Sequence, residues 1–242
     1  MQNAVVLRKD YSRRARIAGA WYIVAIIVGV FDLMVLPDRF IKPGDAPATA
    51  HAILAEQGLF QALPVVDIAC GTIWLLVVLA LYRLLRDVDE WQARLMLILG
   101  AYLQVPFYFF NAINYTGAFV SLTHPAFVAA FSETQRYAIA FLFLRLHHYE
   151  FMASFVFAGL WLFPFGILVY KSQFLPRILG AWLVLEGFGW PVLAVAGFAA
   201  PQYLDLISTI SAPLNFAEVA IALWLLLFGA RATFLRDRRA SV

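Results

Sequence analysis

Charge is scarce in this chain. Only 14% of its 242 residues are Asp, Glu, Lys or Arg, against about 25% in a soluble domain. That excludes a solvated globular surface over most of its length. Cysteine is scarcer still. Cys70 stands alone, which excludes an intrachain disulfide and a cysteine-based zinc site. Long basic runs are missing, so nucleic acid is excluded as a partner although the net charge is +3. Also missing are a nucleophile motif, a phosphate loop, an HExxH zinc helix and an HxxxH pair. His51 and His124 are read as loop residues. Of the four histidines, only His147 and His148 then sit at the mouth of an apolar segment.

What the chain has is apolar length. Hydrophobic residues make up 63% of it, in stretches of about 20 residues that each suffice to cross a hydrocarbon core of about 30 Å. The reading is all-α: a polytopic membrane protein forming a single integral membrane domain over 1–242. Six transmembrane helices are expected over about 16–36, 59–84, 91–119, 149–170, 178–199 and 204–230. The first apolar run is longer than the roughly 7–15 residues of a signal-peptide core and reads as a span. Pro37 is expected to stop it. Pro106 is expected to kink or loosen the third span.

One or two interfacial helices are expected on the outer side. Asp45 has the position of a cap with Pro47 in the first turn of a helix ending at Gly58, and its weak apolar face suits the membrane surface. The loop over 120–146 is the largest. Ser132 and Gln135 have capping-box spacing. Tyr137–Leu144 reads as a short interfacial or re-entrant helix, with a bend near His147–His148.

Positive charge orients the bundle. Arg8, Lys9, Arg13, Arg14, Arg16, Arg83, Arg86, Arg94, Lys171, Arg177, Arg231, Arg236, Arg238 and Arg239 fall on one side. Only Arg39, Lys42, Arg136 and Arg145 fall on the other. The Lys/Arg-rich side is cytoplasmic, so both termini are expected there. A weak internal echo links Arg16-Ile-Ala-Gly-Ala-Trp21 to Arg177-Ile-Leu-Gly-Ala-Trp182, which suggests related hairpins.

The order and spacing of several pieces resemble a bacterial family known as domain of unknown function 4386. They are Arg16-Ile-Ala-Gly-Ala-Trp-Tyr22, Asp45-Ala-Pro-Ala-Thr-Ala-His-Ala-Ile53, Leu59-Phe60 with Asp67, Leu81-Tyr82, His147 with Tyr149, Lys171-Ser172, Leu175-Pro-Arg-Ile-Leu-Gly180, and Glu218 with Leu223-Trp-Leu-Leu226. The resemblance covers nearly the whole chain. It implies a multi-pass bacterial membrane protein, and hence an inner-membrane location, and it implies no particular activity.

Buried polar groups mark where a site would be. Asp32 lies 16 residues past Arg16, and Asp67 lies 16 residues before Arg83. Both are therefore about 24 Å from the inner face at about 1.5 Å per residue. Asn111 is at nearly the same depth, and Asn114, His147 and Glu150 sit slightly further out. Two seams have helical spacing: Gln104, Tyr108, Asn111 and Tyr115 on the third span, and Ser208, Ser211, Asn215 and Glu218 on the sixth. Asp67, Glu186 and Glu218 have no Lys or Arg at their depth. Each costs roughly 2.5–3.5 kcal/mol at a helix centre if left unmatched, so an intramembrane acid is a functional candidate.

The leading expectation is a non-enzymatic membrane protein whose acid-lined cavity opens to the outer side. It would bind or transport a small cationic or polar ligand, or protons, through Asp32, Asp67, Asn111, Asn114, His147, Glu150, Asn215 and Glu218. The lipid bilayer is its expected partner and it needs no cofactor. One alternative is a metal-dependent intramembrane hydrolase holding zinc on His147, Glu150 and Asp67. Another is a scaffold or sensor in which the polar groups only lock helices together. The sequence gives no indication of oligomeric state.

Overall fold

The computed structural model describes residues 2–230. No strand occurs among them. Six helical segments are long and apolar enough to cross a membrane: Asp10–Phe40, Gln57–Leu85, Glu90–Thr123, Glu133–Lys171, Arg177–Ala199 and Pro201–Leu227. The chain is therefore a multi-pass, all-α membrane protein with the six expected spans. Two short helices lie outside them, Ala46–Ala55 and Pro125–Ala130.

The prolines shape the spans, in ways only partly anticipated. Pro37 does not stop the first span. Lacking an N–H for the Leu33 carbonyl, it is preceded by a π-helical turn over Phe31–Val35, closed by Leu36 N–H donating to the Phe31 carbonyl, and the helix continues as Leu36–Phe40. Pro106 loosens the third span as expected. A second π turn occupies Ile98–Tyr102, and Leu103 N–H reaches back to the Ile98 carbonyl at 3.1 Å.

The expected bend at His147–His148 is absent. Glu133–Leu160 is one continuous helix, interrupted at Trp161 before Leu162–Lys171. No Gly or Pro occurs between Glu133 and Ala158, whereas Pro164 leaves the Leu160 carbonyl without its donor. Tyr137–Leu144 is thus part of this long helix. The supposed loop over 120–146 is largely helical as well, since the third span runs to Thr123.

The caps follow the sequence. Asp45 accepts the Ala48 N–H at 2.8 Å. Ser132 N–H donates to the Gln135 side chain at 2.9 Å, while Gln135 N–H reaches Ser132 Oγ at 3.4 Å. The helix after Asp45 ends at Ala55, short of Gly58, and buries Thr49, Ala50 and Ile53 instead of laying an apolar face on lipid.

The described residues form two compact units. One comprises the residues up to Ile26, Ile73–Gln104 and those from Ser154 onward; the other comprises Ile27–Thr72 and Val105–Ala153. In the first unit, the fourth and fifth spans meet backbone to backbone. A Cβ on Gly180 would lie 2.6 Å from the Gly166 carbonyl oxygen, and one on Gly159 would lie 2.5 Å from that of Gly187. Around this contact pack Trp161, Phe165, Leu183 and Ile221. In the second unit, Phe60 joins Phe40 at 5.1 Å and Tyr115 at 5.7 Å, both edge to face, with Ile53, Leu63, Ala118, Ala140 and Leu144 around them.

The turn between the second and third spans carries an ion pair of the first unit. Asp89 caps the helix Glu90–Leu97 through the Gln92 N–H and accepts from Lys171 Nζ at 2.8 Å. The Lys171 ammonium, with help from the Gln92 N–H, holds the Asp89 carboxyl below its ordinary range. A carboxyl lowered in the folded state contributes stability above its unfolded pKa of about 3.9 and loses it as pH falls further. Asp89→Asn is therefore expected to lower the melting temperature slightly at pH 7, an exposed pair contributing at most about 1 kcal/mol. The gap to wild type should narrow as melts are taken from pH 7 down to pH 3; a gap independent of pH would refute the ion pair.

Candidate functional site

The second unit carries the candidate site. The second span brings Asp67, Cys70 and Gly71 along one face at helical spacing. Gly71 lets the third span approach, since a Cβ there would lie 2.9 Å from Tyr108 Cβ. Asn111 and Tyr115 follow on the same face of the third span, both buried. The widened turn before Pro37 presents Asp32. Asp32 and Asp67 are each 1% exposed. Their carboxyls face one another, with the Cys70 thiol beside Asp32 and Glu150 near enough to Asp67 to repel it.

None of the four carboxylate oxygens of Asp32 and Asp67 accepts from an N–H among the described residues; the nearest groups able to donate are the Cys70 thiol and the facing carboxyl. The Asn111 amide oxygen and the Tyr115 hydroxyl are likewise buried and unpartnered among the described residues. Most buried polar atoms in folded proteins have a partner, so four such residues in one compact unit call for a ligand or a shared proton.

The fourth span closes this unit. Tyr137, Ala140, Leu144 and His147 are spaced three, four and three apart, and all are buried. His147 continues that stripe and packs its ring 4.3 Å from that of Tyr115. His148 is exposed beside Tyr149. Asn114 Nδ2 donates to Glu150 at 2.7 Å. Arg145 pairs with the Tyr149 hydroxyl at 2.9 Å rather than with Glu150.

Six of the eight expected site residues therefore belong to this unit: Asp32, Asp67, Asn111, Asn114, His147 and Glu150. Among the described residues no three of His, Cys, Asp and Glu are grouped so as to hold a metal ion. His147, Glu150 and Asp67 thus do not assemble as the zinc set envisaged from their spacing.

Asn215 and Glu218 belong to the other unit, in a cluster of different character. The sixth span is broken between Ser211 and Phe216, around Pro213. Before the break the seam is only partly buried, with Ser208 exposed and Ser211 buried. Asn215 precedes the helix Phe216–Leu227 but makes no side-chain cap. Glu186 of the fifth span takes that role, accepting the Glu218 N–H at 3.2 Å where the helix dipole favours negative charge. The Tyr22 hydroxyl donates to Glu218. Trp190, in helical phase with Glu186, lies beside its carboxyl.

Each acid accepts one hydrogen bond, although Glu186 Oε1 has no donor among the described residues, and the arrangement is that of a helix anchor. Tyr22→Phe strips Glu218 of its hydroxyl donor and is expected to cost roughly 1.5–3 kcal/mol. Glu186→Gln still accepts the N–H and should cost less than Glu186→Leu in the same thermal melts. Equal losses for Glu186→Gln and Glu186→Leu would refute the anchoring role.

Spacing alone overlooked Cys70, set aside for want of a partner cysteine, and the Tyr22 link to Glu218. A signal existed for Cys70, which lies one helical turn past Asp67. For Tyr22 the signal was only its place at the mouth of the first span.

No solved structure matches this chain. An uncharacterized protein of Archaeoglobus fulgidus is 33% identical over 81 residues, covering 32% of this chain and 45% of that protein. The chain thus spans less than half of that relative's length. The model of a family described as "Domain of unknown function (DUF4386)" matches residues 17–229, all six spans in the order the sequence pattern set out, and the chain belongs to that family.

Proposed function

We propose that this protein holds one small monovalent cation, a proton in the simplest case, between Asp32 and Asp67. One observation supports the reading above others: four buried carboxylate oxygens with no N–H donor. Two unit charges about 4 Å apart repel by about 4 kcal/mol at an effective dielectric constant of about 20. A shared proton makes one carboxyl the donor that the other lacks. A small monovalent ion would turn the same repulsion into attraction, with the Asn111 and Tyr115 oxygens as neutral ligands. His147, tilted against the Tyr115 ring, would help to hold that ring in place.

The excess of Lys and Arg on one side supports cytoplasmic termini in a bacterial inner membrane, with Asp32 and Asp67 toward the outer leaflet and reached from that side. A hydrolase on His147, Glu150 and Asp67 has no geometric support. A purely scaffolding role suits the Glu186–Glu218 cluster, whose acids each accept a hydrogen bond.

The test is a ligand titration of the purified protein. Sodium, potassium or acid should raise the melting temperature as a ligand of the native state does, and the response should vanish in Asp67→Asn. Superimposable curves for wild type and Asp67→Asn would overturn the reading.

A further inference from the structure

The other unit carries a groove of different chemistry, of about 680 Å³, lined by Ser12, Arg13, Arg16, Ile17, Ala20 and Leu226. It lies between the first and sixth spans, whose backbones meet just beyond it. A Cβ on Gly19 would lie 2.4 Å from Leu226 N, and one on Gly229 would lie 3.3 Å from the Ser12 carbonyl oxygen.

Its lining is graded. Arg13 and Arg16 are one turn apart on the same face, both exposed. Among the described residues neither forms an ion pair, whereas Arg14 between them is held by Asp10 at 2.6 Å. One turn further along come Ile17, 44% exposed, and Ala20, opposite Leu226.

We propose that this groove binds an anionic phospholipid, with the phosphate between Arg13 and Arg16 and an acyl chain along Ile17, Ala20 and Leu226. A soluble anion would use the charged end and leave the apolar wall in contact with water. A neutral lipid tail would leave two unpaired guanidinium groups. Only an amphiphile with a negative head matches both ends. The two arginines lie where the apolar run of the first span begins, which is headgroup depth, and basic residues between helices at that depth bind anionic headgroups.

The probe is reconstitution in vesicles of equal phosphatidylglycerol and phosphatidylcholine, gentle re-extraction, and native mass spectrometry of the retained lipid. Wild type should retain phosphatidylglycerol preferentially. At about fivefold per arginine, Arg13→Gln with Arg16→Gln should lower that preference roughly 25-fold, while Arg14→Gln leaves it unchanged. Ala20→Leu narrows the groove without removing charge and should also weaken retention, which gives a second readout if the double variant does not fold. Equal retention by wild type and either groove variant overturns the proposal. So does displacement of the lipid by millimolar glycerol phosphate, which would show that a soluble phosphate suffices.

Discussion

Gly180→Val is expected to yield no folded protein in detergent, while Gly58→Ala yields protein that elutes and melts as wild type does. The cause is backbone contact. At Gly180 the nearest atoms to a new Cβ are the Gly166 carbonyl oxygen at 2.6 Å and Tyr170 N at 2.7 Å, both main-chain atoms that cannot swing aside. At Gly58 nothing lies within 4 Å. Small residues that let membrane helices approach supply much of their packing energy, because lipid is as apolar as the side chains it would replace. The same contact recurs two turns further along both helices, at Gly159 and Gly187, where the Pro191 ring also meets Gly159. Forcing the fourth and fifth spans apart at Gly180 strips contacts from Trp161, Phe165 and Leu183 together. The loss should exceed the 4–5 kcal/mol that marks an exceptional substitution. Size-exclusion chromatography decides it: a monodisperse Gly180→Val peak with a melting temperature near that of wild type would contradict this account of the interface.

Spans, caps and depth were legible in the sequence because each follows from a one-dimensional pattern. Apolar length marked the spans. Asp45 and Ser132 marked helix starts. Counting from Arg16 and Arg83 put Asp32 and Asp67 at one height, and they do face each other. What counting along an axis omits is azimuth. Asp67 and Glu218 both looked like unmatched intramembrane acids, yet they fall in separate units with opposite hydrogen-bonding circumstances. The π turns were also hidden. Pro37 was read as a stop because proline ends helices, but one residue of slack upstream lets the helix pass it. The stripe of Tyr137, Ala140, Leu144 and His147 did carry the fourth span's continuity. An apolar segment too short to cross a membrane alone suggested a break instead.

Asp67→Asn is expected to raise stability, by roughly 2–4 kcal/mol, while abolishing the response to cations. The sign is unusual for a buried polar substitution and follows from the absent donors. In wild type with neither ion nor proton bound, Asp32 and Asp67 oppose each other with no N–H or O–H aimed at either. An amide at position 67 removes one charge and its repulsion, and it presents an NH2 group to the Asp32 carboxylate at no cost in volume. Relief of one unmatched acid is worth roughly 2.5–3.5 kcal/mol on an insertion scale. At about 2–4 °C per kcal/mol for a chain of this size, the melting temperature should rise by about 4–16 °C. Asp67→Leu should gain less, since Asp32 then keeps its charge in an apolar wall with nothing to bond. The Glu186–Glu218 cluster supplies the opposite control, because its acids accept from Glu218 N–H and the Tyr22 hydroxyl, and truncating them loses stability. A gain of that size would argue that the two carboxylates are kept for their charge. Asp67→Asn melting below wild type by more than about 1 kcal/mol, within ordinary hydrogen-bond worth, would mean that both carboxylates are structural anchors after all.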